Sequence, residues 1–469
     1  STGEMMADNS EAQKRKLAEE AQQVDALAKR VAGMEAVPSP MQVDSNAPAL
    51  QMRNEDFSPE LLRIYYDRLF PFHQMFRWLS YRNDPKSSNK EVCKDFFLRR
   101  EFTFVLAGDI YCRYQCFRDW EEYRKEVTSR QPVRMEIGAV YTHPPKNHQT
   151  VIKDAYKPLE RELVFDIDMD DYDDIRTCCT GAKLCTKCWT FMKAAIKTLD
   201  RALREDFGFK HLLFVYSGRR GVHCWVSDKI ARRLSNEQRS AVADYLSVVI
   251  PGKDRARAEI KMYGAEEEHP SLREATNICY KYFKDDPQGV LQGQEILRPR
   301  SGRHLDNILA LLGSAEAEAV SKYIEAHPEA SSLQIWQQIE KAHEERLSAL
   351  MRASGSFAEK RQAKVLLKEI VLQYTYPRLD VNVSKQMNHL LKSPFVVHPK
   401  TGRVCVPINI DTVDQFNPLE VPTIGRLVDE LNRSGDKGET SLKQYTHFFE
   451  TKFVQPLEFE TGKEMNLNG

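Results

Sequence analysis

The stretch Glu162-Leu-Val-Phe-Asp166-Ile-Asp168-Met-Asp170 constrains this chain more than any other. Apolar and acidic residues alternate there with a period of two, a pattern that an extended strand resolves into two unlike faces. As a strand over 163–169 it sends Phe165, Ile167 and Met169 into a core and stands Asp166 and Asp168 side by side on the other face. Paired carboxylates repel unless a proton or a cation lies between them, and Mg²⁺ or Mn²⁺ favours such oxygen ligands. The alternative is an acidic strand end with solvated side chains, continued by Asp170, Asp171, Asp173 and Asp174 into a turn. An EF-hand is excluded, because Asp171 stands where its loop needs glycine and Thr177 where it needs glutamate. Asp380, in Arg378-Leu-Asp380-Val-Asn-Val at the start of a strand-like run over 379–383, offers a third carboxylate. A strand-end aspartate paired with an arginine is the other reading of that site.

Directly after the acidic strand come Cys178, Cys179, Cys185 and Cys188, while the remaining six of the ten cysteines are scattered. Four thiolates in one short loop suit a structural zinc ion, which closes a loop that has little core of its own. With all four bound no coordination position stays open, so this metal is structural. Reduced thiols packed as small apolar side chains are the alternative. No secretory signal is read in the sequence, so disulfides are not expected.

Residues 214–225 read as two strands joined by a glycine-bearing turn that gathers Ser217, Arg219, Arg220 and His223. Guanidinium forks match phosphate oxygens, so the turn suits a triphosphate; a surface hairpin with ion-paired arginines is the alternative. There is no Gly-x4-Gly-Lys-Ser/Thr, which excludes a P-loop. A second basic set, Lys385, His389, Lys392, His398, Lys400 and Arg403, follows Asp380 and suits phosphate or template contacts, or a solvated loop.

With 68 Lys and Arg against 68 Asp and Glu, total charge points to no partner, so distribution carries the argument. No stretch approaches the roughly 18 apolar residues of a membrane span. Residues 1–52 read as a disordered tail, or as a marginal docking helix through Leu17, Val24, Leu27 and Val31. Strands are expected at 102–106, 110–115, 137–141, 163–169, 212–216, 222–226, 379–383 and 404–407, and helices at 61–70, 190–205, 308–319, 332–353 and 359–373. Ser235 and Gln238 form a capping box for another helix. The fold class is mixed α/β (α+β): a catalytic domain over 53–229 and 373–469, the zinc loop 178–188 at its edge, and a helical subdomain over 230–372 between its parts.

Arg100-Glu-Phe-Thr-Phe, Ile110-Tyr-Cys-Arg113-Tyr-Gln, the acidic strand, the cysteine loop, Tyr216-Ser-Gly-Arg-Arg-Gly-Val-His-Cys-Trp, Pro377-Arg-Leu-Asp-Val-Asn-Val-Ser and His398-Pro-Lys-Thr-Gly-Arg occur in one order. In that order they resemble the catalytic small subunits of archaeo-eukaryotic primases, over roughly residues 57–425. The resemblance implies an enzyme that joins ribonucleoside triphosphates into RNA primers on single-stranded DNA. It makes Asp166, Asp168 and Asp380 the ligands of Mg²⁺ or Mn²⁺, and Ser217, Arg219, Arg220, His223, Lys392 and His398 the triphosphate contacts. Arg113, Arg134, Glu136 and Arg378 fall beside the nucleotide pocket, with Arg134 and Glu136 where Lys and Asp are expected. It further implies a primase large subunit as partner, assembly with the catalytic and accessory subunits of DNA polymerase alpha, and a nuclear location.

Overall fold

The first helix starts where the sequence places its cap. Ser58 Oγ accepts from the Leu61 amide at 3.2 Å, and Pro59 opens α1 (Pro59–Arg68). The structure is a computed structural model that describes residues 57–467, apart from 91, 251–258, 261–267, 300–302, 355 and 435–438. The tail expected over 1–52 lies outside the described residues. Helix α2 (Phe72–Ser80) follows, and α3 (Trp120–Arg130) is capped by Asp119. Tyr65, Tyr66, Met75, Trp78 and Leu79 of α1 and α2 are buried. Trp78 anchors this layer with an edge contact to Trp225 and an indole hydrogen bond to Ser227 Oγ at 2.9 Å.

Strands β1 (Arg100–Leu106), β2 (Ile110–Gln115), β3 (Arg134–Tyr141) and β4 (Pro158–Glu160) begin one antiparallel sheet. The acidic segment forms β5 (Leu163–Ile167) at the edge of a second sheet, beside β7 (Val222–Val226), which pairs in turn with β6 (Leu212–Tyr216). Helix α4 (Thr186–Arg201) packs Phe191, Met192, Ala195 and Leu199 into the core between them in sequence. It continues into a π-helix over Ala202–Asp206, so the helical run spans the expected 190–205 and begins one turn earlier.

Between β7 and the return to the sheets lie α5 (Asn236–Leu246), α6 (Pro270–Tyr280), α7 (Ser314–Ala326), α8 (Ser332–Arg352) and α9 (Phe357–Thr375). The Ser235–Gln238 capping box forms as expected. Two short strands, β8 (Val249–Ile250) and β9 (Glu259–Ile260), interrupt this helical stretch. The single helix expected over 308–319 is two: His304–Leu309 closes at Ala310, and α7 starts from Gly313, whose amide donates to the Glu316 carboxylate. Trp336 and Phe283 form the aromatic contact at the centre of this region.

The expected strand over 379–383 is not a strand. Asp380 Oδ1 accepts from the Asn382 amide at 3.1 Å and starts a short helix, α10 (Val381–Lys385). The Leu-Asp-Val-Asn-Val alternation has a strand's period, but an aspartate cap and an anchor on the sheet outweigh a weak β preference. That anchor is Ser384 Oγ, which donates to the Val164 carbonyl at 2.6 Å. The chain then returns β10 (Leu391–Lys392) to the first sheet beside β3 and β11 (Pro407–Ile408) to the second beside β6. Only Pro407 of the strand expected over 404–407 belongs to a ladder; Val404 makes an isolated bridge to Val397. Helices α11 (Ile424–Ser434) and α12 (Gln455–Leu467) complete the fold. Among the described residues no helix is long and apolar enough to cross a membrane.

Charge is buried where β5 begins. Arg100 and Glu162 are both 0% exposed and joined by two hydrogen bonds of 2.9 Å. Arg161, also 0% exposed, donates from Nη1 to the Val383 and Gln386 carbonyls, tying α10 to β5. Sequence reasoning missed these arginines as positioning groups. The charged triplet Glu160-Arg161-Glu162 abuts an apolar strand, but only its partners, distant in sequence, make it buried.

Candidate active site

Antiparallel pairing of β5 with β7 sets Asp166 opposite His223, with His223 Nε2 3.5 Å from Asp166 Oδ1. Asp168 lies one residue past the strand, where its Oδ1 accepts from the Asp170 amide and caps a short turn. Asp380 enters from the other side, its amide donating to the Asp166 carbonyl at 3.1 Å. Asp166 feels both of the other carboxylates. Burial, and then the charges of Asp168 and Asp380, push the Asp166 carboxyl up to about 7. Burial also works against ionisation of Asp168, but the Arg220 guanidinium, 2.6 Å away at Nε, outweighs it and holds Asp168 below the usual carboxylate range. A site that cannot comfortably keep all its carboxylates charged fits a hard divalent cation.

The turn between β6 and β7 faces these acids. Gly218 has φ +83°, and a Cβ on it would come within 2.7 Å of His398 Cβ. A Cβ on Gly221 would meet the Ile167 carbonyl at 2.5 Å, so the turn can lie against the acidic strand only with glycine there. Ser217 Oγ accepts from the Gly221 amide at 2.9 Å, and Lys392 Nζ, from the first sheet, reaches the Ser217 carbonyl at 3.4 Å. Together these residues line a cleft of about 240 Å³ between the sheets: Asp166, Asp168, Ser217, Arg219, Arg220, His223, Lys392 and His398, with Arg134, Glu136 and His389.

The cleft's cationic wall is fixed and uneven. Arg219 has a buried Nε without a hydrogen-bond partner in the protein, which suits an anionic ligand. Arg220 is instead ion-paired with Asp168 and Asp170. Burial, and then the Lys392 charge, pull His223 and His398 down to about 3, so both imidazoles are neutral. His398 Nδ1 accepts from the Lys400 amide, leaving its Nε2 as the donor. Burial raises Glu136, which is paired with Arg134 at 3.1 Å.

Three sequence candidates stand outside the lining: Asp380, whose amide bonds to the Asp166 carbonyl, Arg113 and Arg378. Arg113 donates from Nε and Nη2 to the buried Glu101, on the outer part of the first sheet. Arg378 donates to the Asp171 carbonyl and pairs with Asp174, pinning the turn after the acidic strand. Of the second basic set, Lys385 pairs with Asp244, and neither Lys400 nor Arg403 lines the cleft.

The cysteine loop lies apart from the cleft lining. The sulfurs of Cys178, Cys179, Cys185 and Cys188 all fall within 4.8 Å of one another, and those of Cys185 and Cys188 are 3.8 Å apart. Four sulfurs around one zinc, at the roughly 2.3 Å Zn–S bond length, are spaced by about that distance. Cys185 is the N-cap of α4 and Cys188 its third residue, so the x2 spacing is set by a helix start whose dipole favours thiolates.

The model of the family described as DNA primase small subunit matches residues 165–410. Over 378 residues the chain is 43% identical to the DNA primase small subunit of Schizosaccharomyces pombe, an alignment covering 80% of this chain and 78% of that one. It is 39% identical over 401 residues to the Drosophila melanogaster protein of the same name, covering 84% and 86%, and 35% identical over 401 residues to that of Saccharomyces cerevisiae, covering 86% and 92%. Because the matched segment runs from the acidic strand through the glycine turn to beyond the third carboxylate, and the likeness extends over most of the chain, this chain belongs to the DNA primase small subunit family.

Proposed function

We propose that this chain is the catalytic subunit of a primase, joining ribonucleotides into short RNA primers on single-stranded DNA by two-metal nucleotidyl transfer. The observation that carries the reading is the placement of Asp166 and Asp168 opposite a neutral-histidine and arginine wall, with Asp380 bonded through its amide to the Asp166 carbonyl. Asp166, Asp168 and Asp380 would hold Mg²⁺ or Mn²⁺. Bound there, the metal supplies acidification of the primer 3′-hydroxyl and neutralises charge on the pyrophosphate leaving group. Ser217, Arg219, Lys392 and the Nε2–H of His398 orient the triphosphate in line. His223, neutral and buried, donates a hydrogen bond without adding positive charge beside the metal ligands. Arg220 exchanges a carboxylate partner for a phosphate when a nucleotide enters.

The reading includes a structural zinc ion on the four cysteines, supported by their sulfur spacing. It extends, on the resemblance set out above, to a large-subunit partner, to assembly with DNA polymerase alpha and its accessory subunits, and to the nucleus.

The test is incorporation of labelled ribonucleotide on single-stranded DNA with and without Mg²⁺ or Mn²⁺. Metal-dependent incorporation supports the proposal. Shortening of the polymer without incorporation makes the chain a two-metal nuclease, and binding without turnover makes it a zinc-dependent nucleic-acid-binding module. Elemental analysis should find one zinc per chain, lost together with the fold of the loop in Cys185→Ser.

A further inference from the structure

The cysteine loop is held at both ends. On one side Arg176, 4% exposed, donates to the Gly181 and Lys183 carbonyls at 2.8 and 3.0 Å, and Asp173 accepts from the Gly181 amide. On the other, a residue 116 positions away in sequence reaches the first thiol. Gln294, 3% exposed, accepts at Oε1 from the amides of Thr177 (2.7 Å) and Cys178 (3.2 Å), and its Nε2 donates to Cys178 Sγ at 3.1 Å. The Thr177 hydroxyl donates back to the Gln294 carbonyl.

The need for such a group follows from the spacing. Helix α4 fixes Cys185 and Cys188 at its cap and third residue, but Cys178 and Cys179 are adjacent and belong to neither helix nor strand. In an extended chain neighbouring side chains point to opposite faces, so both sulfurs can converge only if the backbone bends at that pair. The successive amides of Thr177 and Cys178 turn toward a single acceptor, Gln294 Oε1, and so bend the chain as it enters that pair. A primary amide has its donor and acceptor in one rigid plane. With the oxygen fixed on two backbone N–H groups, the nitrogen is aimed at sulfur, where it donates to a thiolate. A glutamine that merely satisfied backbone groups would need no contact with sulfur.

We propose that Gln294 is the positioning residue of the zinc site, shaping the Cys178-Cys179 bend and orienting the Cys178 thiolate toward the metal. The inference rests on the zinc reading above. It also makes the stretch between α6 and α7 a support of the metal loop, so that the loop's metal retention depends on a segment far away in sequence.

The experiment compares zinc release into excess chromogenic chelator from the full chain, from Gln294→Met and from Gln294→Glu. Gln294→Met keeps the volume and removes every hydrogen bond of the side-chain amide; Gln294→Glu keeps the acceptor for both backbone amides but replaces the donor to sulfur with a carboxylate oxygen, whose charge repels the thiolate. Supporting polar neighbours of metal ligands typically change metal affinity about 10–100-fold, and release from Gln294→Met should be faster by that order, with Gln294→Glu also faster than wild type. In Co²⁺-substituted protein the sulfur-to-metal charge-transfer band should shift in both variants. Cooperatively melting variants that release zinc at the wild-type rate and keep the wild-type cobalt spectrum would overturn the inference. Wild-type chain that carries no zinc would overturn the zinc reading, and the inference with it; the first result leaves that reading standing, so the two failures are told apart.

Discussion

Asp166 and Asp168 are two residues apart, yet burial and like charge raise one while an arginine lowers the other. Asp168 is therefore the carboxylate present as an anion over the wider pH range, and Asp168→Ala should abolish nucleotide addition. The fold should survive, because removing one negative charge relieves Asp166; incorporation assays beside a thermal melt check both halves. Glu162 makes a different prediction. Its burial is outweighed by Arg100 and Tyr81, which hold its carboxyl below the ordinary value. A carboxyl lowered in the folded state adds stability above its unfolded value of about 4.3, and that stability is lost as pH falls through the folded value. Glu162→Gln leaves Arg100 buried without a counter-charge and should cost about 3–5 kcal/mol at neutral pH, with a shallower loss of stability toward acid, read from urea melts at several pH values. At this scale the acidic strand, the glycine turn and the clustering of the four cysteines were legible, since each depends on neighbours close in sequence. Arg161 and Glu162 were not, because a charge signals solvent unless its partners are known, and theirs lie on β1, on α10 and in the loop after it.

The elements that carry the cleft differ in how plainly they declare themselves. Strands over 110–115, 212–216 and 222–226 coincide with the expected ranges because turn residues bound each of them. Helix α10 was misread, since its five residues have a strand's alternation and owe their helical form to Asp380 at the cap and to Ser384 on β5. That hydrogen bond gives Asp380 its distance from the acidic strand. Ser384→Ala should lower stability by about 1 kcal/mol and raise the Mg²⁺ concentration needed for half-maximal incorporation, while the KM for nucleotide changes little. Activity measured across a metal titration checks it; an unchanged metal requirement would detach α10 from the site.

At the scale of the whole molecule, the cleft of about 240 Å³ joins the paired aspartates Asp166 and Asp168 to one basic glycine turn. Starting a primer requires two free nucleotides to be held at once without a duplex to align them, which is where positioning is hardest. The isolated chain should extend a pre-annealed RNA primer readily and initiate poorly until a large subunit is added; equal initiation by chain and heterodimer at matched nucleotide concentration would refute this and direct the search to Lys385, Lys400 and Arg403. The sheet order has one more effect. Strand β10 is inserted beside β3, β11 beside β6, and Asp380 arrives beside β5, only after about 250, 190 and 210 intervening residues, respectively, have been made. A nascent chain emerging from the ribosome can therefore assemble its cysteine loop and expose its first two aspartates long before the third exists, and must keep the edges of both sheets open until then. On the proposed reading the catalytic site stays incomplete until Asp380 has been made, and a chain cut between Gln294 and Asp380 is inert yet still equipped to take up zinc.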